Sequence, residues 1–296
     1  MTNNAHLQWE ARWGRPAAAT AFGAGVLLLV QLLVVQTVLS DRPGIKALPD
    51  SLLSIDEKPG LFLGSAMVQA LGVLLVTPVF LYLFRASMAR GAGMPGWFVY
   101  LVYAGPVVLA AALVLGSIDR IDLAHQFADR AFTAGKDCPA IQGERGADCA
   151  DDLLRDGSST IVFALVFAGS IAVAFLYVML PLRARRVGLL SPFMGILGVV
   201  AGALVVLQLP LVAAVVQAFW LGAVGSLYLG NWPGGRGPAW ESGEAEPWPT
   251  QARRRGLFAP PGGGAPEPEP PAEVAAESEP APERPSSRKR KRKKRR

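Results

Sequence analysis

Cysteine and histidine are scarce, with two of each in 296 residues. Structural zinc sites draw on three or four such ligands, so a zinc centre of the usual Cys/His kind is excluded and only carboxylates remain as metal donors. A second scarcity is more telling. No Asp, Glu, Lys, Arg or His lies deep within any of the long apolar runs. Ionisable groups inside the membrane are the usual mark of proton or ion coupling, so their absence argues against a proton-coupled transporter or pump. Ser65, Ser170 and Ser226 lie in apolar runs without a histidine to activate them, and His6 and His125 fall outside those runs. A membrane hydrolase needs such a nucleophile–base pair or a metal. Neither an HExxH motif nor a phosphate-cradling loop occurs, and Gly91, Gly93 and residues 262–264 are turn or linker glycines. No cofactor is expected.

What is present is apolar sequence in long runs. Hydrophobic residues make up 51% of the chain, and that figure includes a polar tail. The run from Phe193 to Gly230 contains no charged residue. A hydrocarbon core of about 30 Å needs about 20 helical residues, so this run is nearly twice too long for one span. Pro210 breaks it, because the residue before a proline is pushed out of the helical region. Two spans, 193–208 and 211–230, joined by a tight turn, are therefore predicted.

The rest of the chain supplies four more spans. Residues 1–16 form a short polar N-terminus with Trp9, Arg12, Trp13 and Arg15. The first span, 17–40, is longer than the core of a signal peptide, and it is read as an uncleaved helix. Residues 41–60 make a loop with three prolines and mixed charge. Spans 61–84 and 97–118 follow, with Pro78 and Pro106 inside them. Such prolines are tolerated in membrane helices and introduce kinks or hinges. Residues 119–158 form the longest loop between spans, with nine acidic and five basic residues. Its start spaces Ile118, Ile121, His125, Ala128 and Phe132 along one helical face. This fits either a surface amphipathic helix or an extension of the preceding span. The fourth span, 159–180, is expected to end at Pro181, before Arg183, Arg185 and Arg186. Ser191–Pro192 reads as an N-cap followed by a first-turn proline. The fold class is thus all-α, a polytopic transmembrane bundle of six spans with a disordered C-terminal tail.

Charge sets the orientation. Lys and Arg concentrate before span one, between spans two and three, between spans four and five, and after span six. With six spans all of these fall on one side, and the positive-inside rule puts both termini in the cytoplasm of a plasma (inner) membrane. The acidic loops 41–60 and 119–158 then face outward. Cys138 and Cys149 lie in the second of these, in an oxidising compartment, and a disulfide between them is predicted.

Helices in lipid associate through close contact of small residues. Gly198 and Gly202 stand in GxxxG spacing on the fifth span. On the sixth, small residues recur every four positions and include Ala218, Gly222 and Ser226; on the fourth, Thr160, Ala164, Ala168 and Ala172 do the same. The polar residues within spans are mainly glutamines. Gln31, Gln69 and Gln217 either bridge helices or line a polar cavity.

Beyond Gly230, residues 231–256 carry Trp232, Trp240 and Trp248 at eight-residue intervals beside prolines. Disordered chains are poor in tryptophan, so this segment is expected to fold back onto the helix ends or to dock a partner. Residues 257–296 are a Pro/Glu-rich linker ending in Arg288, Lys289, Arg290, Lys291, Arg292, Lys293, Lys294, Arg295 and Arg296. Setting those nine aside turns the net charge from +6 to −3, so the basic character belongs to the tail. Such a run suits anionic lipid head groups. A cytoplasmic protein or nucleic-acid partner is the alternative.

The run from Arg186 through Leu197, Gly198 and Gly202 resembles a recurring segment in a family of polytopic bacterial inner-membrane proteins to which no activity is assigned. There a short basic loop precedes a Gly-rich helix of the form LGxxxG. The resemblance implies six spans and brings no site residues. Three function classes remain: a non-enzymatic scaffold acting through its basic tail, a small-molecule or lipid transporter with a glutamine-lined cavity, and a membrane enzyme using loop carboxylates such as Asp119 and Asp122.

Overall fold

The computed structural model describes residues 3–40, 48–133, 160–207, 209–233, 235–246 and 248. The described residues are helical apart from turns, with no strand among them. The helices are α1 (Asn3–Ser40), α2 (Leu48–Glu57), α3 (Pro59–Ala89), α4 (Phe98–Thr133), α5 (Thr160–Arg186), α6 (Pro192–Val206), α7 (Pro210–Leu229) and α8 (Pro238–Ser242). Cys138, Cys149 and the basic tail lie outside the described residues, and with them the predicted disulfide.

Five helices are long and apolar enough to cross a membrane: α1, α3, α4, α5 and α7. The expected sixth, α6, is a helix of only 15 residues, about 22 Å at 1.5 Å per residue. It is nevertheless part of the bundle. Neighbour contacts run α1 to α3, α3 to α4, α4 to α5, α5 to α6, α6 to α7 and α7 back to α1, which closes a ring of six helices. Buried side chains fill it, with Trp220, Tyr82, Tyr177, Tyr228 and Phe80 the largest.

Several boundaries differ from the sequence expectation. The polar segment 1–16 is helical from Asn3 onward, and α1 runs unbroken through Pro16 into the apolar run. Its first turns are held by packing: Trp9 stacks on Tyr82 at 5.4 Å between ring centroids. The loop 41–60 contains a helix, α2, whose Leu52, Leu53 and Ile55 are buried against Leu123, Ala124, Phe127 and Ala128 of α4. Of the two readings for residues 118–132, the extension is the one found, since α4 is a continuous 36-residue helix. Pro181 does not end its helix, for α5 continues to Arg186. The ring of Pro181 packs where a Cβ on Gly198 would stand, 2.5 Å away at Cγ, so contact with α6 holds the helix through the proline. Ser191 caps α6 as its sequence suggests, with its hydroxyl accepting from the Met194 N–H at 3.3 Å.

The small-residue positions divide. A Cβ on Gly202 would lie 2.7 Å from the Ala174 carbonyl oxygen, so α5 and α6 approach almost backbone to backbone. Gly222 differs: no heavy atom lies within 4 Å of its would-be Cβ. The close α1–α7 approach is made instead by Gly25 against the Ala218 backbone and by Gly225 against Phe22 and Ala21. Ser226 hydrogen-bonds within its own helix, to the Gly222 carbonyl at 2.8 Å. The expected ridge on α5 is also displaced. Thr160, Ala164 and Ala168 are exposed, and it is Gly169 that packs closely, since a Cβ there would stand 2.8 Å from the Leu109 Cα. A repeat of four drifts around a helix of 3.6 residues per turn, so no long ridge of that spacing stays on one face.

Candidate functional site

The two ends of the ring are built differently. One end gathers the start of α1, the end of α3, the start of α4, the α5–α6 turn, the end of α7 and α8. Here Arg90, last in sequence after α3, is fully buried with Glu10 of α1. Its guanidinium donates to both carboxylate oxygens, at 2.5 and 3.0 Å. The same group donates to the Ala86 carbonyl at 2.9 Å and, through Nε, to the Ala239 carbonyl at 2.7 Å. The Arg90 side chain is 0% exposed and that of Glu10 4%. A buried charge needs a partner and satisfied hydrogen bonds. Arg90 has both, and it ties α1, α3 and α8 together.

Trp240 of α8 covers this pair. Its ring lies 5.3 Å from the Arg90 guanidinium and 5.6 Å from that of Arg236. It stacks on Tyr82 at 5.8 Å and meets Tyr228 edge-on at 6.0 Å. Its indole N–H donates to the Leu189 carbonyl at 2.9 Å. Arg236 donates to the Tyr228 and Leu227 carbonyls at the end of α7. Trp248 is buried against Gly237. Of the two readings of this segment, fold-back onto the helix ends is what the geometry shows. Gly188, at φ 81°, makes room for it: a Cβ there would strike the Glu246 backbone, and the Glu246 N–H donates to the Val187 carbonyl at 3.3 Å. Arg90, Arg236, Tyr82, Tyr228 and Trp240 all spend their polar groups on the architecture of this end.

The other end holds a cavity of about 550 Å³. Gln31 of α1, Gln69 of α3, Gln217 of α7 and Ser170 of α5 all line it, among leucines and valines. Sequence reasoning singled out these three glutamines, and the fold brings them together. Gln69 and Ser170 each stand about 15 Å along their helices from the ends at which the cavity opens. Tyr177, Val76 and Leu109 line it more deeply, and Leu209 and Leu211 lie at the α6–α7 turn. Sequence reasoning missed the charged lining residue, Arg120. It sat inside a segment counted as an acidic loop, and only the extension of α4 brings it to the exposed rim of the cavity.

Asp119 and Asp122 do not line this cavity. Among the described residues no group of His, Cys, Asp and Glu is placed to hold a metal ion. His125 pairs with Asp56 at 2.5 Å, fastening α2 to α4. A volume near 550 Å³ falls within the roughly 300–1,000 Å³ of small-molecule sites, and apolar walls with few convergent polar groups are their usual lining. No protein-family model, no curated protein and no solved structure matches this chain.

Proposed function

We propose that this is a six-span inner-membrane protein that binds and transfers a small amphiphile through the glutamine-bearing cavity. The observation that carries the reading is convergence: three glutamines from three non-consecutive helices meet in one apolar-walled space. Amides acting as interhelical glue would be hydrogen-bonded to a side chain or backbone group of a neighbouring helix. Among the described residues, no side-chain hydrogen bond joins these glutamines to a neighbouring helix. Their amides are available to a ligand inside the bilayer, where an unmet polar group is costly.

The six-span arrangement rests on the closed ring and on charge. The arginines at 12, 15, 85, 90, 183, 185, 186 and 236 all belong to the Trp240 end. By the positive-inside rule that end faces the cytoplasm and the cavity opens toward the outer face. Paired fluorescent-protein and alkaline-phosphatase fusions after Trp248 test this, and a phosphatase-positive fusion rules the orientation out.

The cavity itself is tested with a diazirine-bearing long-chain alcohol in nanodiscs of neutral lipid. Photolabelling of peptides holding residues 28–35, 69–76 and 211–217, reduced in a Gln69→Leu/Gln217→Leu variant, is the expected result. Label confined to the lipid-facing perimeter would refute a binding cavity. A second reading is favoured by the run of nine Lys and Arg at the C-terminus. It makes the bundle an anchor for a tail that engages anionic head groups or an acidic partner. Retention of wild-type function after removal of 288–296 counts against it.

A further inference from the structure

We infer that the ligand of the cavity is an anionic single-chain amphiphile, a carboxylate on an alkyl chain, with Arg120 as the head-group residue. This rests on the cavity reading above and names its ligand class. Arg120 is the one charged residue among the described residues that line the space. No ion pair or hydrogen bond to Arg120 occurs among the described residues, whereas Arg90 is fully engaged.

Position separates the head from the chain. Arg120 lies about 33 Å along α4 from Phe98, a little more than the roughly 30 Å of a hydrocarbon core. With Phe98 and Trp97 at one interface, Arg120 stands at the other, at the rim of the cavity, and its side chain is exposed there. Leu113 and Leu109, two and three turns deeper on the same face, line the apolar interior with Gln69 and Ser170. A charge at the rim, a greasy wall below it and isolated neutral amides within describe an amphiphile lying parallel to α4. A guanidinium offers a planar fork of donors that matches an oxoanion.

The neighbouring acids do not cancel this. Asp119 and Asp122, at one residue before and two after, project to other faces of the helix, and neither lines the cavity. On the far face α4 is covered by α2, where His125 and Asp56 pair with each other.

The test uses the full-length protein in neutral-lipid nanodiscs with three diazirine probes of equal chain length, a fatty acid, a fatty alcohol and a fatty amine, at equal mole fraction. The acid should label the cavity peptides roughly ten-fold more than the alcohol, the amount one charge-assisted hydrogen bond provides. Arg120→Gln should remove that excess while keeping the alcohol's labelling, which also shows that the variant is folded. Arg120→Lys should retain part of it. Equal labelling by acid and alcohol, or preference for the amine, overturns the anionic assignment and leaves the cavity standing. Absence of cavity label from all three probes overturns the cavity and the assignment with it.

Discussion

The Trp240 end and the glutamine end spend their polar groups in opposite ways. At the Trp240 end, Arg90, Arg236, Tyr82, Tyr228 and Trp240 all donate to backbone carbonyls, and Arg90 also to Glu10. These bonds close one end of the ring and fasten α8 across it. At the other end Gln31, Gln69, Gln217 and Ser170 surround space. The same bundle is thus sealed where its polar side chains reach main chain and open where they do not. In lipid, where apolar burial gives helices little reason to prefer one another over acyl chains, such bonds decide which end is rigid.

The strongest way to break the contrast is at Arg90. Arg90→Ala leaves the Glu10 carboxylate buried and unpaired, which costs about 3–5 kcal/mol. Denaturant unfolding in detergent micelles should show that loss. Glu10→Gln with Arg90→Met should recover most of it, because removing both charges of a buried pair is often close to neutral. A single-variant loss below about 1 kcal/mol would deny the pair its role. Next comes Trp240→Ala, which removes one ring stack, one edge-on ring contact, two cation contacts and the bond to Leu189, and should cost about 3 kcal/mol. Limited proteolysis would then cut within 235–248 faster than in the wild type. Trp240→Phe keeps the ring and loses the N–H bond, with an expected cost of about 1 kcal/mol.

These two ends were not equally legible. Glutamine is conspicuous in an apolar run, so the cavity residues Gln31, Gln69 and Gln217 stood out by chemistry alone. Glu10 and Arg90 did not, because 80 positions separate them and nothing local couples them. Arg90 was one more positive charge in a short turn, counted for topology and not for structure. The α2 helix was hidden by Pro49 and mixed charge, and its Leu52, Leu53 and Ile55 gain meaning only against the extended α4. The proline rule misled at Pro181, where packing against α6 holds the chain helical. The Ser191 cap and the Gly198 and Gly202 contacts were legible because each depends on a few adjacent residues and one partner face.

Smaller effects sharpen the comparison. Gly202→Ala, on the α5–α6 approach, forces a methyl against the Ala174 carbonyl and should cost about 1–3 kcal/mol through overpacking. Gln217→Leu, at the open end, should change stability by only about 0.6 kcal/mol, the average for a polar side chain between membrane helices. A loss for Gln217→Leu equal to that for Gly202→Ala would mean that the amide is bonded structurally and that the open end is not open.

The smallest effect is expected at Gly222, and its sign carries the information. The residue belongs to the four-residue spacing of α7, yet an added Cβ meets nothing within 4 Å. Gly222 lines a shallow groove of about 330 Å³ between α1 and α7, with Phe22, Val26 and Phe219. Gly222→Ala therefore removes backbone freedom without a clash. In a helix interior that exchange is worth up to about 1 kcal/mol in favour of alanine, less where neighbouring helices already restrain the backbone. The expected outcome is neutral to slightly stabilising, within about 0.5 kcal/mol, measured beside Gly202→Ala under the same unfolding conditions. A destabilisation at Gly222 matching that at Gly202 would require a close neighbour that the described residues do not supply. A second copy of the protein seated in that groove is one such neighbour, and chemical crosslinking in nanodiscs would test for it.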